Sequence, residues 1–243
     1  MHFKSSLFKT ALLACFIPFT ATNAEIIIHG TRAIYPSDAR EITLQVSNNG
    51  NKPALVQAWI DEGDAKSTPD QSQAPFMITP PISRVDSQKG QTLRISALPK
   101  TANLSQTQET LYWLNILDIP PKPSAKTTND VPDNFLQLAI RSRIKFFYRP
   151  SEIKGDSGAA PSKLQWTVLG DQLKVKNPTP FHITLTSINQ NNAGQHTDLI
   201  KEGLMLKPFS EDSVKLKGGN TSKMVFTSIN DYGGRVELPI RVQ

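Results

Sequence analysis

The sequence predicts an all-β protein made of two β-sandwich domains. Three observations carry this expectation. Apolar and polar residues alternate in short runs, as on a strand with one buried face. Clusters of turn residues separate those runs at intervals of about ten positions. No long stretch carries a helical periodicity.

The first segment of the 243-residue chain stands apart from this pattern. Met1–Ala24 carries Lys4 and Lys9, an apolar run from Ala11 to Phe19, and small residues at Thr22 and Ala24. This is the pattern of a secretory signal peptide, short for a membrane span. The alternatives are an uncleaved anchor and a lipoprotein signal at Leu12-Leu13-Ala14-Cys15. Bulky Leu13 and the apolar sequence past Cys15 speak against the second. Cleavage near Ala24 lowers the formal charge from +6 to +4 and removes Cys15, the one cysteine of the chain. Residues 25–243 then have no disulfide, thiol nucleophile or thiolate ligand, and their stability must come from apolar cores. No other apolar stretch approaches the length of a membrane span, so no membrane insertion is expected. The basic residues are scattered, and a secreted protein rarely meets nucleic acid. The excess charge is read as solubility plus a local anion site, with no nucleic-acid partner.

The strands follow in order. Glu41–Ser47 alternates and stops at the turn residues Asn48-Asn49-Gly50-Asn51; Ala54–Ile60 comes next. Asp61–Ala74 is a polar loop. Thr92–Ile95, Thr110–Leu117 and the long Phe135–Tyr148 complete a first set. Trp166–Leu169, Gln172–Val175, His182–Ile188, Ser213–Leu216, Lys223–Ile229 and Arg235–Val242 form a second. Trp59, Trp113 and Trp166 fall within strands, which favours core positions. Lys122–Asn134 is poor in apolar residues and reads as a flexible loop. The boundary is placed near Arg149-Pro150, because proline cannot donate a ladder hydrogen bond and small, polar Ser151–Ser162 follows. The resulting domains, 25–149 and 150–243, each have the size of an immunoglobulin-like sandwich.

Nothing in the sequence points to catalysis, a metal or a cofactor. His29, His182 and His196 are far apart, and neither HExxH, CxxC nor a phosphate-binding glycine loop occurs. No GxSxG elbow is present. The carboxylate pairs Asp61-Glu62 and Glu211-Asp212 lie in polar loop sequence and read as solvated surface.

Phe135–Phe146 is the most informative strand. Leu136, Leu138, Ile140, Ile144 and Phe146 share one face, interrupted by Ser142. Gln137, Arg141, Arg143 and Lys145 share the other with Ala139, since strand side chains alternate. Periodicity alone leaves two readings open. The apolar face packs into its own domain, as most such faces do, or part of it serves another chain.

A resemblance bears on that choice. Leu104–Pro120 (LSQTQETLYWLNILDIP) is similar to the signature segment of the periplasmic pilus chaperones, the PapD- and FimC-like family of the chaperone–usher pathway. The match rests on Glu109-Thr110-Leu111, Trp113, Asn115-Ile116 and Ile119-Pro120, with departures at Ser105 and Thr107. Thr31-Arg32-Ala33, Ala58-Trp59-Ile60, Thr79-Pro80-Pro81, Ile144–Pro150 (IKFFYRP), Asn177–Pro180 (NPTP) and Ile229–Arg235 (INDYGGR) match in order, so the resemblance spans both domains.

The resemblance implies two immunoglobulin-like domains in an L shape with a cleft between them. It implies a non-enzymatic periplasmic chaperone of fimbrium biogenesis whose partners are pilin subunits and an outer-membrane usher. Leu136, Leu138 and Ile140 would enter the groove of a subunit lacking its last strand, by donor-strand complementation, with Ile144 and Phe146 left as core. Arg32 and Lys145 would hold the subunit's C-terminal carboxylate. Glu109, Arg149 and Asp231 would link the domains by ion pairs. The wide spacing and absence of cysteine around Lys122–Asn134 suggest the shorter-loop subgroup, for which the loop is somewhat long. An open edge also makes a self-capping dimer possible. The rival from another class is a secreted immunoglobulin-like adhesin or carbohydrate-binding module, which would gather exposed aromatics in its loops.

Overall fold

The computed structural model describes residues 26–121, 137–192, 195–218 and 224–242. The signal segment, the Lys122–Asn134 loop and Leu136 lie outside the described residues.

Among the described residues the first domain holds nine strands: β1 (Ile26–Ile28), β2 (Arg32–Pro36), β3 (Glu41–Asn48), β4 (Ala54–Asp61), β5 (Phe76–Thr79), β6 (Ile82–Val85), β7 (Gly90–Ala97), β8 (Thr110–Ile119) and β9 (Ile140–Arg149). They form two sheets, ordered β1-β3-β7-β5 and β2-β9-β8-β4-β6. Alternation builds the layer between them. On β7, Leu93 and Ile95 are fully buried, and they meet Phe76, Leu114, Ile116 and Phe146 from the other strands. Tyr35 is buried whole because its hydroxyl is satisfied: it donates to the Ala39 and Arg40 carbonyls and accepts from the Ala97 amide at 3.0 Å. The turn after β3 is held by buried Asn48. Its amide nitrogen donates to the Lys52 and Val85 carbonyls, and its oxygen accepts from the Gly50 amide.

The second domain holds β10 (Gln165–Leu169), β11 (Gln172–Lys176), β12 (Ile183–Asn192), β13 (Gln195–Asp198), β14 (Leu204–Leu206), β15 (Glu211–Lys215), β16 (Met224–Ile229) and β17 (Arg235–Pro239). One sheet runs β10-β11-β15. The other runs β13-β12-β16-β17, with β14 also on β12. A separate core, around Trp166, Leu173, Leu185, Ile188, Leu206 and Phe226, lies between them. The NPTP turn is stapled by Asn177, whose nitrogen donates to the Phe181 and Lys207 carbonyls and whose oxygen accepts from Thr179. The chain passes from one core to the other between Tyr148 and Ala160.

Several expectations need correction. The strands β1, β2, β5, β6, β13 and β14 were not expected, because runs of three to five residues hold too little alternation to register. The long strand expected from Phe135 begins, among the described residues, at Ile140. Trp113 is not core: it stands half-buried on the outer face of β8. Asp61 is not solvated; it ends β4 with 0% exposure. Glu211 and Asp212 are exposed as expected, but on β15 rather than in a loop.

Candidate functional site: a cationic cleft beside an open strand edge

The site is built on β9. On one side β9 pairs with β8 over its whole length, from Thr110↔Tyr148 to Asp118↔Ile140. On the other, β2 runs parallel to it only from Arg32↔Lys145 to Pro36↔Arg149. Among the described residues, 140–144 of β9 therefore have one unpaired edge, with backbone donors and acceptors facing outward. The face changes along the same strand. Phe146 is fully buried and Ile144 packs against the core, whereas Ile140 is 50% exposed and Leu138, just before the strand, is 63% exposed. The apolar face thus runs past the end of its own core.

Arg32 and Lys145 meet where the covered half of β9 begins, as direct neighbours in the parallel ladder. Both reach the second domain. Arg32 Nη1 donates to the Ile229 carbonyl at 3.2 Å, and Lys145 Nζ donates to Thr184 Oγ1 at 2.9 Å. Among the described residues neither forms an ion pair, and Arg32 Nε is buried without a partner. Burial first, then the neighbouring Arg32 charge, pushes the Lys145 pKa down to about 8. Burial also lowers that of Arg32, with the fields of Asp231 and Glu109 working against it. Two desolvated cations with donors to spare suit a single anion, and Arg offers a fork suited to a carboxylate.

The sign of the Lys145 shift gives a prediction. The folded state resists protonating Lys145 between its lowered value, about 8, and the unfolded value near 10.4. The unfolded chain binds more protons there, so stability rises with pH across that window, and the cost of the buried charge is fully present below it. Lys145→Met should remove both the cost and that slope, which thermal unfolding at a series of pH values will read.

A second cluster fixes the domains beside the cleft. Arg149 Nε donates to Glu109 Oε1 at 2.7 Å, and its two terminal nitrogens bind Asp231 at 2.7 and 3.0 Å. Ser157 Oγ adds a 2.8 Å bond to Asp231. The other oxygen of Glu109 accepts from the His182 amide at 2.8 Å and lies 3.3 Å from its ring Nδ1. Burial opposes ionisation of Asp231, but Arg149, Ser157 and the Arg32 field outweigh it and hold its pKa below the usual carboxylate range. This pairing therefore stabilises above about pH 4 and is lost as pH falls through the lowered value. The INDYGGR turn closes on the first domain here. Gly233 sits at φ +83°, and a Cβ there would come within 2.5 Å of Thr31 Oγ1.

The structure thus brings Arg32 to Lys145, and Arg149 to both Glu109 and Asp231. It leaves Leu138 and Ile140 exposed on the neighbouring edge. His182, Thr184 and Ser157 join the cleft unannounced by the sequence. The spacing of His182, just before β12, and Thr184 on it, two positions apart, was the available signal.

Two sandwiches bridged by ion pairs, with an anion site beside an unfinished sheet edge, define a protein built to hold another chain. Comparison with known proteins gives the family. The family described as "Pili and flagellar-assembly chaperone, PapD N-terminal domain" matches residues 25–154, and "Pili assembly chaperone PapD, C-terminal domain" matches residues 159–240. The chaperone protein MrkB of Klebsiella pneumoniae is 44% identical over 238 residues, covering 97% of this chain and 99% of its own. The crystal structure of the Pseudomonas aeruginosa CupB2 chaperone superposes with a TM-score of 0.76 at 35% identity, covering 89% of this chain and all of the other. A chain of the Salmonella enterica SafA pilin–SafB chaperone complex gives 0.72 at 29% identity, covering 88% and 96%. The chain belongs to the PapD-like family of pilus-assembly chaperones.

Proposed function

We propose that this protein is a periplasmic, non-enzymatic chaperone that binds pilin subunits, completes their fold with one strand, and delivers them to an outer-membrane usher. The observation that carries this reading is the half-covered strand β9. Its free edge begins one residue beyond the cation pair Arg32–Lys145, and the exposed Ile140 and Leu138 follow further along the same strand line. A subunit lacking its last strand supplies what both features lack: a backbone edge with an apolar groove, and a terminal carboxylate.

The energetics suit the task. Each aliphatic anchor contributes about 1.5–3 kcal/mol on burial, and each added main-chain bond about 0.5–1.5 kcal/mol. The anion site fixes where the guest's tail ends. By the alternation of the sequence alone, Leu136 is a third anchor in this proposal. Glu109, Arg149 and Asp231 set the angle of the cleft. Cleavage near Ala24 would release the chain into the periplasm, and no helix among the described residues is long and apolar enough to cross a membrane. Without a guest, the same edge is available to a second copy, as a self-capping dimer. Family membership speaks against an adhesin or carbohydrate-binding module. The test is co-expression with a pilin and purification from the periplasm. A one-to-one complex with the pilin is expected; purified protein that binds glycan and brings down no pilin would overturn the reading.

A further inference from the structure

The outer face of β9 carries a cluster that the cleft does not use. Arg141 and Arg143 point away from the core, and both converge on the buried Asp61 at the end of β4. Arg143 binds both oxygens of Asp61 through Nε and Nη2, and Arg141 Nη2 lies 3.4 Å from Oδ2. Asn115 on β8, also fully buried, donates to Asp61 at 2.7 Å and accepts from Arg141 Nε at 2.9 Å. The Gly63 amide donates to Asp61 at 2.7 Å, and Arg141 Nη1 donates to the Ala65 carbonyl at 2.9 Å. The two guanidiniums lie over indoles, Arg141 4.6 Å from the Trp59 ring centre and Arg143 4.5 Å from that of Trp113. Every member is bonded or stacked within the cluster, so it is built to hold its own strand.

Its place on the strand is informative. Between residues 140 and 143 the inward face gives β9 little hold: Ile140 is half exposed and Ser142 is small and polar. Among the described residues the other edge is open, since pairing with β2 begins only at Lys145. Over this stretch the side chains that tie β9 to its domain are Arg141 and Arg143. A slip of one residue would turn Leu138 and Ile140 away from a guest and drive Ala139 and Arg141 toward it. With both arginines locked onto Asp61, that slip would strand a buried carboxylate and desolvate a cation. Fixing register is the best-attested use of a buried ion pair.

We infer that Asp61 is a positioning residue: through Arg141 and Arg143 it sets the register in which β9 presents Leu138 and Ile140 to a subunit. This inference rests on the chaperone reading above and adds the device that makes the donated strand single-valued. The test uses the lack of cysteine after residue 15. Leu138→Cys and Ala139→Cys are each made in the full chain, co-expressed with a pilin truncated of its N-terminal extension, and alkylated in the purified complex. With Asp61 intact, the subunit should slow modification at position 138 by about tenfold or more relative to 139, the size of effect that one strand face buried and one exposed implies. With Asp61→Asn, which keeps size and loses the charge, that ratio should fall toward one. The thermal midpoint of each free variant is measured alongside. Arg141→Met leaves the Asp61–Arg143 pair in place, should fold without difficulty, and should shift the ratio in the same direction. An unchanged ratio in both variants overturns the inference while leaving the chaperone reading intact. Protection at neither position with Asp61 intact overturns the chaperone reading itself.

Discussion

Arg32→Ala and Lys145→Ala are each expected to abolish or sharply reduce recovery of pilin from the periplasm while leaving the chaperone folded. The two cations are ladder neighbours, partly buried and unpaired among the described residues. Removing one partner of a desolvated, charge-assisted contact costs about 2–5 kcal/mol, roughly thirtyfold or more in affinity. The fold should tolerate the loss. Each side chain gives the second domain one hydrogen bond to a neutral oxygen, and burial of the Lys145 charge costs stability rather than adding to it. Subunit binding should also weaken as pH rises through about 8 and Lys145 of the free chaperone loses its proton. Pull-down from periplasmic extracts, with thermal unfolding of each free variant, separates loss of binding from loss of fold. Full recovery by both variants would refute the anchor assignment.

Ile140→Asp should eliminate capture just as thoroughly, for a different reason. It removes an anchor of about 1.5–3 kcal/mol and would place a charge inside an apolar groove, so a loss of a hundredfold or more is expected. Because Ile140 is 50% exposed in the free protein, its own fold should change by no more than about 0.5 kcal/mol. Phe146→Asp, on the same face but fully buried, should instead prevent folding. The contrast along one strand locates where the protein's own core ends and the guest's begins. Co-purification and far-ultraviolet circular dichroism read the two outcomes.

The half of this architecture carried by alternation was legible in the sequence. Glu41–Ser47 and Ala54–Ile60 appear within a residue of where they were expected, because each buries a face against the opposite sheet. The single-face pattern of Leu138, Ile140, Ile144 and Phe146 was equally plain, but periodicity could not say that it crosses from core to solvent. That depends on β2 starting only at Arg32, and β2, with its terminal proline and five residues, gave no periodic signal. Asp61 was misread because its burial is imposed by arginines about eighty positions further on. Trp113 was misread for the same reason, since Arg143 covers it on the outer face. His182 looked inert until the second domain placed it against Glu109. Contacts between distant strands and between domains leave no local pattern.

The most direct test of an open, donated edge is amide hydrogen exchange across residues 137–144, in the free protein and in its complex with a pilin. The lone edge of β9 should exchange quickly when free and become strongly protected once a guest strand lies against it. Equal exchange in the two states would show that the subunit is held elsewhere.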